Sequence, residues 1–158
     1  MSILLAMVVP RLPRLGAAQL DASAERLATI ATYLADESSL RGRIYRLTID
    51  LDDNSWEVET LRPWDETSSD LHATPREQPQ QEWDPYGRSG RLPDGVAFER
   101  VIAGDSERSS GRQSIWFLPE GAPDDARIAL SGEGGDETAV FFDAFAGRAR
   151  VAPWETAP

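Results

Sequence analysis

The chain has 158 residues, of which 41% are hydrophobic and 27% charged, and its length suits one folded domain with a single core. Its net charge of −11 at pH 7 argues against general binding of nucleic acids, because an acidic surface repels phosphate backbones. The lack of Cys excludes disulfides, thiol nucleophiles and Cys-ligated zinc, and His72, the only histidine, would have to serve any Ser-His-Asp triad or His-containing metal site.

The chain opens with an uncharged apolar run, Ile3 to Val9, which Pro10 follows directly. Such a run fits a buried core strand, the apolar segment of a signal peptide, or part of a longer apolar helix. A signal peptide is disfavoured because no positive charge precedes the run, whereas Arg11 and Arg14 follow it. A core strand and part of a longer helix both stay open on these residues alone.

Apolar residues recur at helical spacing between residues 15 and 41. Leu20, Leu27, Ile30 and Leu34 fall on one stripe of a 3.6-residue period, and most charged residues of this segment fall off it. Gly42 then stands where a glycine commonly ends a helix. We therefore predict an amphipathic helix over 15–41 whose apolar stripe packs against the rest of the domain.

After this helix the apolar period changes from 3.6 to two, which indicates β-strands. Residues 43–61 predict a β-hairpin in which Trp56 and Val58 share the buried face with Leu47 and Ile49. Further strands are predicted at 95–102, 112–118, 126–130, 138–145 and 147–152. One long helix followed by closely spaced strands predicts an α+β fold, with the helix packed on antiparallel β-sheet, two sheets being favoured.

The segment 62–92 interrupts the strands with four Pro, three Gln and few aliphatic residues, which predicts a long polar loop. His72 falls in this loop without neighbours at metal-ligand spacing, so an ordinary exposed histidine is favoured. Residues 153–158 are predicted to form a frayed tail.

The five tryptophans divide into two groups. Trp56 and Trp116 lie within strand patterns and are predicted to be core residues. Trp64, Trp83 and Trp154 lie in polar segments and are either packed covers or partner contacts.

Motifs with known chemistry match weakly. Asp50, Asp52 and Asn54 are spaced like the first ligands of a calcium loop, but Ser55 and Leu61 stand where that loop needs Gly and Glu, so a hairpin turn is favoured. The sequence has no phosphate-binding loop, no dinucleotide-binding turn and no nucleophile motif, and its acidic residues form no recognisable catalytic pair. We therefore expect no enzymatic activity, no cofactor and no metal.

The N-terminal run and the helix after it resemble the N-terminus of type IV pilin-like proteins, with Pro10 in that family's usual proline position. The stretch "LADESSLRGRIYRLTIDLDDNSWEVETL" is similar to the part of minor pseudopilin H of type II secretion systems in which the helix leads into the first hairpin and its Trp. The segments "LPDGVAFE", "IWFLPEGAPDDARIAL" and "VFFDAFAGRARV" resemble later strands of that family, in the same order. The resemblance touches most of the chain outside 62–92.

This resemblance implies a remnant of a membrane and fibre helix in 1–14, a pseudopilin head over 15–152, and a tail at 153–158. The remnant comprises the residues Ile3, Leu4, Leu5, Met7, Val8, Val9 and Pro10. The family's leader, its cleavage Gly, and the Phe and Glu at the start of the mature helix have no counterparts here, and a spanning helix needs about 20 apolar residues. We therefore expect that the sequence begins inside this helix, either because it was cut there or because the start codon is assigned too far downstream.

The function implied by the resemblance is that of a structural minor pseudopilin, single-pass in the inner membrane of a Gram-negative bacterium, with a periplasmic head; methylation is a further feature of the family. The implied partners are other minor and major pseudopilins, the inner-membrane secretion platform and the membrane itself. In this interpretation the 20–34 stripe meets the sheet of the head on one side and neighbouring subunits on the other.

Two alternatives stay open. A minor pilin of a type IV pilus, serving adhesion or DNA uptake, would keep the same fold, and a local patch at Arg148 and Arg150 would offset the acidic charge. An acidic envelope hydrolase would require a cleft with two close, partly buried carboxylates.

Overall fold

The computed structural model describes residues 14–61, 89–122 and 124–154. The predicted helix remnant Ile3 to Pro10, along with His72, Trp64, Trp83 and the end of the predicted tail, lies outside the described residues. Within the described ranges, no helix is long and apolar enough to cross a membrane.

The described residues form one helix, α1 (Arg14–Arg41), followed by nine strands. The helix ends where Gly42 adopts a positive φ of 62° and its N–H donates to the carbonyl oxygen of Ser38 at 3.0 Å. The strands are β1 (Ile44–Asp50), β2 (Ser55–Leu61), β3 (Gly90–Arg91), β4 (Val96–Ala103), β5 (Ser106–Arg108), β6 (Arg112–Phe117), β7 (Ala126–Gly132), β8 (Glu137–Asp143) and β9 (Arg148–Ala152).

The strands form two antiparallel sheets. The smaller sheet has the order β3-β2-β1-β6, and the larger has the order β5-β4-β7-β8-β9. The helix packs on strands of both sheets, most extensively on β8 and β9. The predicted fold class, one long helix on two antiparallel sheets, is therefore confirmed.

The β1–β2 hairpin has the register expected from its apolar alternation. Leu47 pairs with Val58 and Ile49 pairs with Trp56, and these side chains point towards the core, where Val58 is partly buried and the others are buried. The hairpin turn contains Asn54 at a positive φ of 50°, a conformation that Asn tolerates better than most residues.

The acidic residues of this turn bind protein groups. Asp50 accepts a hydrogen bond from the Nε of Arg112 at 2.8 Å and another from the backbone N–H of Asp53 at 3.0 Å. These bonds lower the pKa of the Asp50 carboxyl below its ordinary value of 3.8, and the bond from Arg112 has the larger effect. Asp52 accepts from the N–H of Gly111 at 3.1 Å. The spacing that resembled a calcium loop is thus used by a hairpin turn that ties β1 to the start of β6.

The core lies between the helix and the two sheets, and the sheets also contact each other directly. The ring of Phe117 on β6 meets that of Phe142 on β8 edge to face, with centroids 5.1 Å apart. The side-chain oxygen of Asn54 accepts from the N–H of Phe98 at 2.9 Å, beside the irregularity where the register of β4 shifts. The two sheets are therefore coupled by both apolar packing and a hydrogen bond.

Three features differ from the sequence-based expectations. The predicted loop 62–92 ends in β3, which pairs with β2, and Leu92 after it is buried. The segment between β4 and β6 contains the short strand β5. Trp116 is 37% exposed, so its assignment to the core was wrong: β6 buries Ile115 and Phe117, and alternation turns the residue between them to the other face.

Candidate subunit interfaces

The predicted packing stripe of α1 lies inside the molecule. Leu20, Leu27, Ile30 and Leu34 are each 2% exposed or less, and all belong to the main core. The expectation that this stripe also meets neighbouring subunits is therefore wrong, because these four side chains are already buried within the chain itself.

The face of α1 that remains accessible is mostly polar. Its exposed residues before the last two turns are Ala18, Gln19, Asp21, Ala22, Glu25, Arg26 and Thr29. The guanidinium of Arg26 lies 5.1 Å from the ring centroid of Trp56, so this residue also covers the edge of the smaller sheet. A neighbour that contacts this part of the helix would meet polar side chains.

The helix covers part of the free edge of β9. The N–H of Ala149 donates to Oγ1 of Thr32 at 2.9 Å, and Arg148 pairs with Asp36 at 2.7 Å. These contacts leave less of the edge for another strand to pair with. The ion pair with Asp36 also neutralises Arg148, one of the two residues of the predicted arginine patch. The guanidinium of Arg150, the other residue of that patch, lies 5.2 Å from the ring centroid of Phe141. The DNA-binding alternative gains no cluster of unpaired cations here.

The outer face of the larger sheet carries a small aromatic and arginine cluster, separate from the main core. Phe141 stacks on Trp154 with ring centroids 6.5 Å apart, and the guanidinium of Arg127 lies 5.8 Å from the Phe141 centroid. Arg100 lies 4.8 Å from the centroid of Trp154. Trp154, placed by the sequence in a frayed tail and left open between cover and partner contact, is thus a cover for the sheet.

A concavity of about 540 Å³ lies beside this cluster and contains three carboxylates, those of Glu99, Glu107 and Glu137. All three residues are exposed; Glu99 accepts from the hydroxyl of Ser131, and Glu107 pairs with Arg100 at 3.3 Å. A hydrolase of the kind considered above keeps one carboxyl protonated by burial, and this site buries none of the three. The concavity does not supply the geometry that the hydrolase alternative requires.

The most exposed apolar side chains lie at one end of the head. Among the described residues, Phe145 in the β8–β9 turn is 101% exposed and Leu40 in the last turn of α1 is 81% exposed. A depression of about 280 Å³ lies here, lined by the end of α1, the β6–β7 loop and the β8–β9 turn. No sequence signal distinguished Phe145, because its exposure depends on how the turn projects from the folded domain.

Comparison with solved structures places this arrangement among pilin-like folds. The chain is similar to two structures of the minor pseudopilin EpsH from the type 2 secretion system of Vibrio cholerae, with TM-scores of 0.62 and 0.59 at 15% and 14% identity. The matches cover 89% and 85% of this chain and 98% and 97% of the EpsH chains. The type IV minor pilin FimU of Pseudomonas aeruginosa is also similar, with a TM-score of 0.54 at 15% identity, over 90% of this chain and 94% of FimU.

No protein-family model matches the sequence, and neither does any curated protein. The similarity to solved structures nevertheless extends over nearly their whole length, so the chain has the fold shared by these minor pseudopilins and minor pilins. The resemblance found in the sequence is confirmed at the level of the fold.

Proposed function

We propose that this chain is a structural minor pseudopilin of a type II secretion pseudopilus, a subunit that works by packing and carries out no catalysis. The observation that carries the proposal is the similarity of the complete described head, helix and both sheets, to EpsH over nearly all of the EpsH chain. The order of the sequence segments that resemble minor pseudopilin H supports the same assignment independently of the structure.

The burial along α1 supports a mechanical role for the helix. Its stripe is buried from Leu20 to Leu34, about four turns, so the helix and the head move as one body. A subunit that packs against the N-terminal part of such a helix would therefore set the orientation of the whole head. The apolar run Ile3 to Val9 would supply the end of the membrane and fibre helix, with the head in the periplasm and the secretion platform in the inner membrane. Methylation stays a prediction from the family resemblance.

The surface charge would govern how the subunit chooses its partners. The net charge of −11 disfavours contact with like-charged neighbours and accelerates association with basic surfaces at low salt. Charge of this kind contributes more to partner choice and association rate than to affinity. Contacts with the other minor and major pseudopilins should consequently weaken as salt is raised.

A minor pilin of a type IV pilus is the second candidate, because FimU has the same fold at a similar identity. The charge balance makes DNA uptake the less favoured version of this candidate, since Arg148 is paired with Asp36. A mobility-shift assay of the full chain with duplex DNA at low salt tests the DNA-uptake version: a shifted band would favour such a pilin, and free DNA throughout would count against that version.

Sedimentation velocity tests the main proposal. The full chain in mild detergent is mixed with the other minor pseudopilins of the same bacterium, on the order of tens of micromolar each. We expect a faster-sedimenting complex that weakens with added salt. Separate boundaries for all components at low salt would count against the proposal.

A further inference from the structure

The β8–β9 turn holds an aromatic side chain away from the molecule. Phe145 is 101% exposed, so its ring makes essentially no contact with the rest of the chain. A large apolar group in water contributes nothing to the stability of the domain, whereas burying such a ring in a partner removes some 150–250 Å² of surface from solvent. Stability of the domain therefore does not explain why a Phe stands at this position.

The turn that presents this ring is held by hydrogen bonds on both sides. The carboxylate of Asp143 accepts from the N–H of Ala146 at 2.8 Å, and the carboxylate of Asp125 on the β6–β7 loop accepts from the N–H of Ala144 at 2.8 Å. Gly147 closes the turn with a positive φ of 62°. These bonds fix the backbone on either side of the ring, which reduces the entropy lost when a partner binds it.

Other apolar groups extend this surface. The depression beside the turn is lined by Ala35, Pro119 and Ala122, and also by Asp36 on α1. Leu40, four residues after Asp36 and hence on the same side of the helix, is 81% exposed. We call the surface made by Leu40, the depression and Phe145 the Phe145 face.

The Phe145 face has acidic surroundings. Asp36, Glu120, Asp125 and Asp143 are exposed on or next to it, and Arg148 pairs with Asp36. A complementary partner would combine an apolar pocket with basic residues at its rim. A second copy of this chain is disfavoured as the occupant, because both copies would bring acidic faces and a net charge of −11.

We propose that the Phe145 face docks a neighbouring pilin-like subunit of a different kind, and that Phe145 inserts into an apolar pocket rimmed by Arg or Lys on that subunit. The inference rests on the proposed function and adds the location and chemistry of one contact. Aromatic side chains that enter a partner's pocket are frequent sources of binding energy, so this ring should dominate the contact.

The test compares variants of the full chain in mild detergent by their affinity for the pilin-like subunits of the same bacterium, measured by sedimentation and calorimetry. Phe145→Ser should weaken binding by at least about tenfold, whereas Phe145→Tyr, which keeps the ring, should change it by less than about threefold. Because the ring contacts nothing in the free chain, both variants should melt within about 1 °C of wild type. Trp116→Thr, at the exposed aromatic on the other sheet, is the control and should bind as wild type does.

The charge of the rim is tested separately by Glu120→Arg. The proposal expects weaker binding and a slower association rate, because the variant places a cation opposite the basic rim of the partner. Tighter binding by Glu120→Arg would overturn the proposal, since it would indicate an acidic partner surface.

The remaining outcomes separate this inference from the proposed function. Wild-type binding that Phe145→Ser leaves unchanged would overturn the inference and leave the proposed function standing. Self-association of the wild type that Phe145→Ser abolishes would identify a second copy as the occupant and overturn the inference. A wild-type chain that binds none of the pilin-like subunits would count against both.

Discussion

Replacing Leu27 by Ala should loosen the contact between the helix and the sheets more than any loss of helix propensity can explain. The Leu27 side chain is 0% exposed and lies in the middle of the buried stripe. Removing its outer carbons forfeits about 0.8 kcal/mol per methylene, and the cavity left behind raises the total to about 3–4 kcal/mol. Leu and Ala are both good helix formers, so propensity contributes little to the change.

The same substitution at Leu40 is the matched control. Leu40 belongs to the same helix but is 81% exposed, so Leu40→Ala should change the free energy of unfolding by no more than about 0.5 kcal/mol. For a chain of 158 residues, the loss at Leu27 corresponds to a fall in Tm of about 6–16 °C.

Urea denaturation and thermal melting of the two variants measure this difference. Equal effects at the two positions, or a loss below about 1 kcal/mol for Leu27→Ala, would refute the packing of the helix on the sheets as described.

Substitutions at three further positions test single contacts. Asn54→Gly removes the acceptor of the Phe98 N–H and should cost about 1–3 kcal/mol of stability. Asn54→Ala removes the same acceptor and should cost about 1–2 kcal/mol more, because Ala is strained at the positive φ of this position. A higher urea midpoint for the Ala variant than for the Gly variant would contradict this. A Cβ at position 90 would overlap the indole of Trp56, so Gly90→Ala should cost about 1–3 kcal/mol of stability and shift the tryptophan emission. An unchanged emission spectrum and urea midpoint would contradict this packing. The lowered pKa of Asp50 means that its carboxylate stabilises the fold above the ordinary value of 3.8, and that this stabilisation is lost as the pH falls below it. Asp50→Asn should therefore melt below wild type near pH 6, with a gap that narrows as the pH falls below 3.8, whereas a gap that stays the same in acid would contradict this assignment.

The regular elements were predictable because their patterns are local. The period of the stripe identified which side of α1 is buried, and the two-residue alternation identified the hairpin and most strands. The partner of each buried face depends on the tertiary arrangement, so the stripe was wrongly assigned a second contact with neighbouring subunits. The strand β3 was missed because Gly90 and Arg91 are too short a run to show alternation; they are strand residues only through their pairing with Trp56 and Ser55 of β2.

The surface contacts were harder to predict for the same reason. Arg100 and Trp154 meet across the outer face of a sheet although they lie more than fifty residues apart in the chain. Trp116 was predictable in principle, because the alternation of β6 turns it away from Ile115 and Phe117. The exposure of Phe145 required the folded turn, since the residues around it, with Asp143 and Gly147 at the ends, indicate only that a turn exists.

Deletion of this chain in the bacterium that encodes it, followed by measurement of export, tests the proposed function most directly. If the chain is a minor pseudopilin that supports export, as proposed, proteins that normally cross the outer membrane should accumulate in the periplasm of the deletion strain. Expression of the wild-type chain should restore their release, and pilus-dependent motility and DNA uptake should stay unchanged. Normal export in the deletion strain, or loss of motility with export intact, would contradict the assignment to type II secretion.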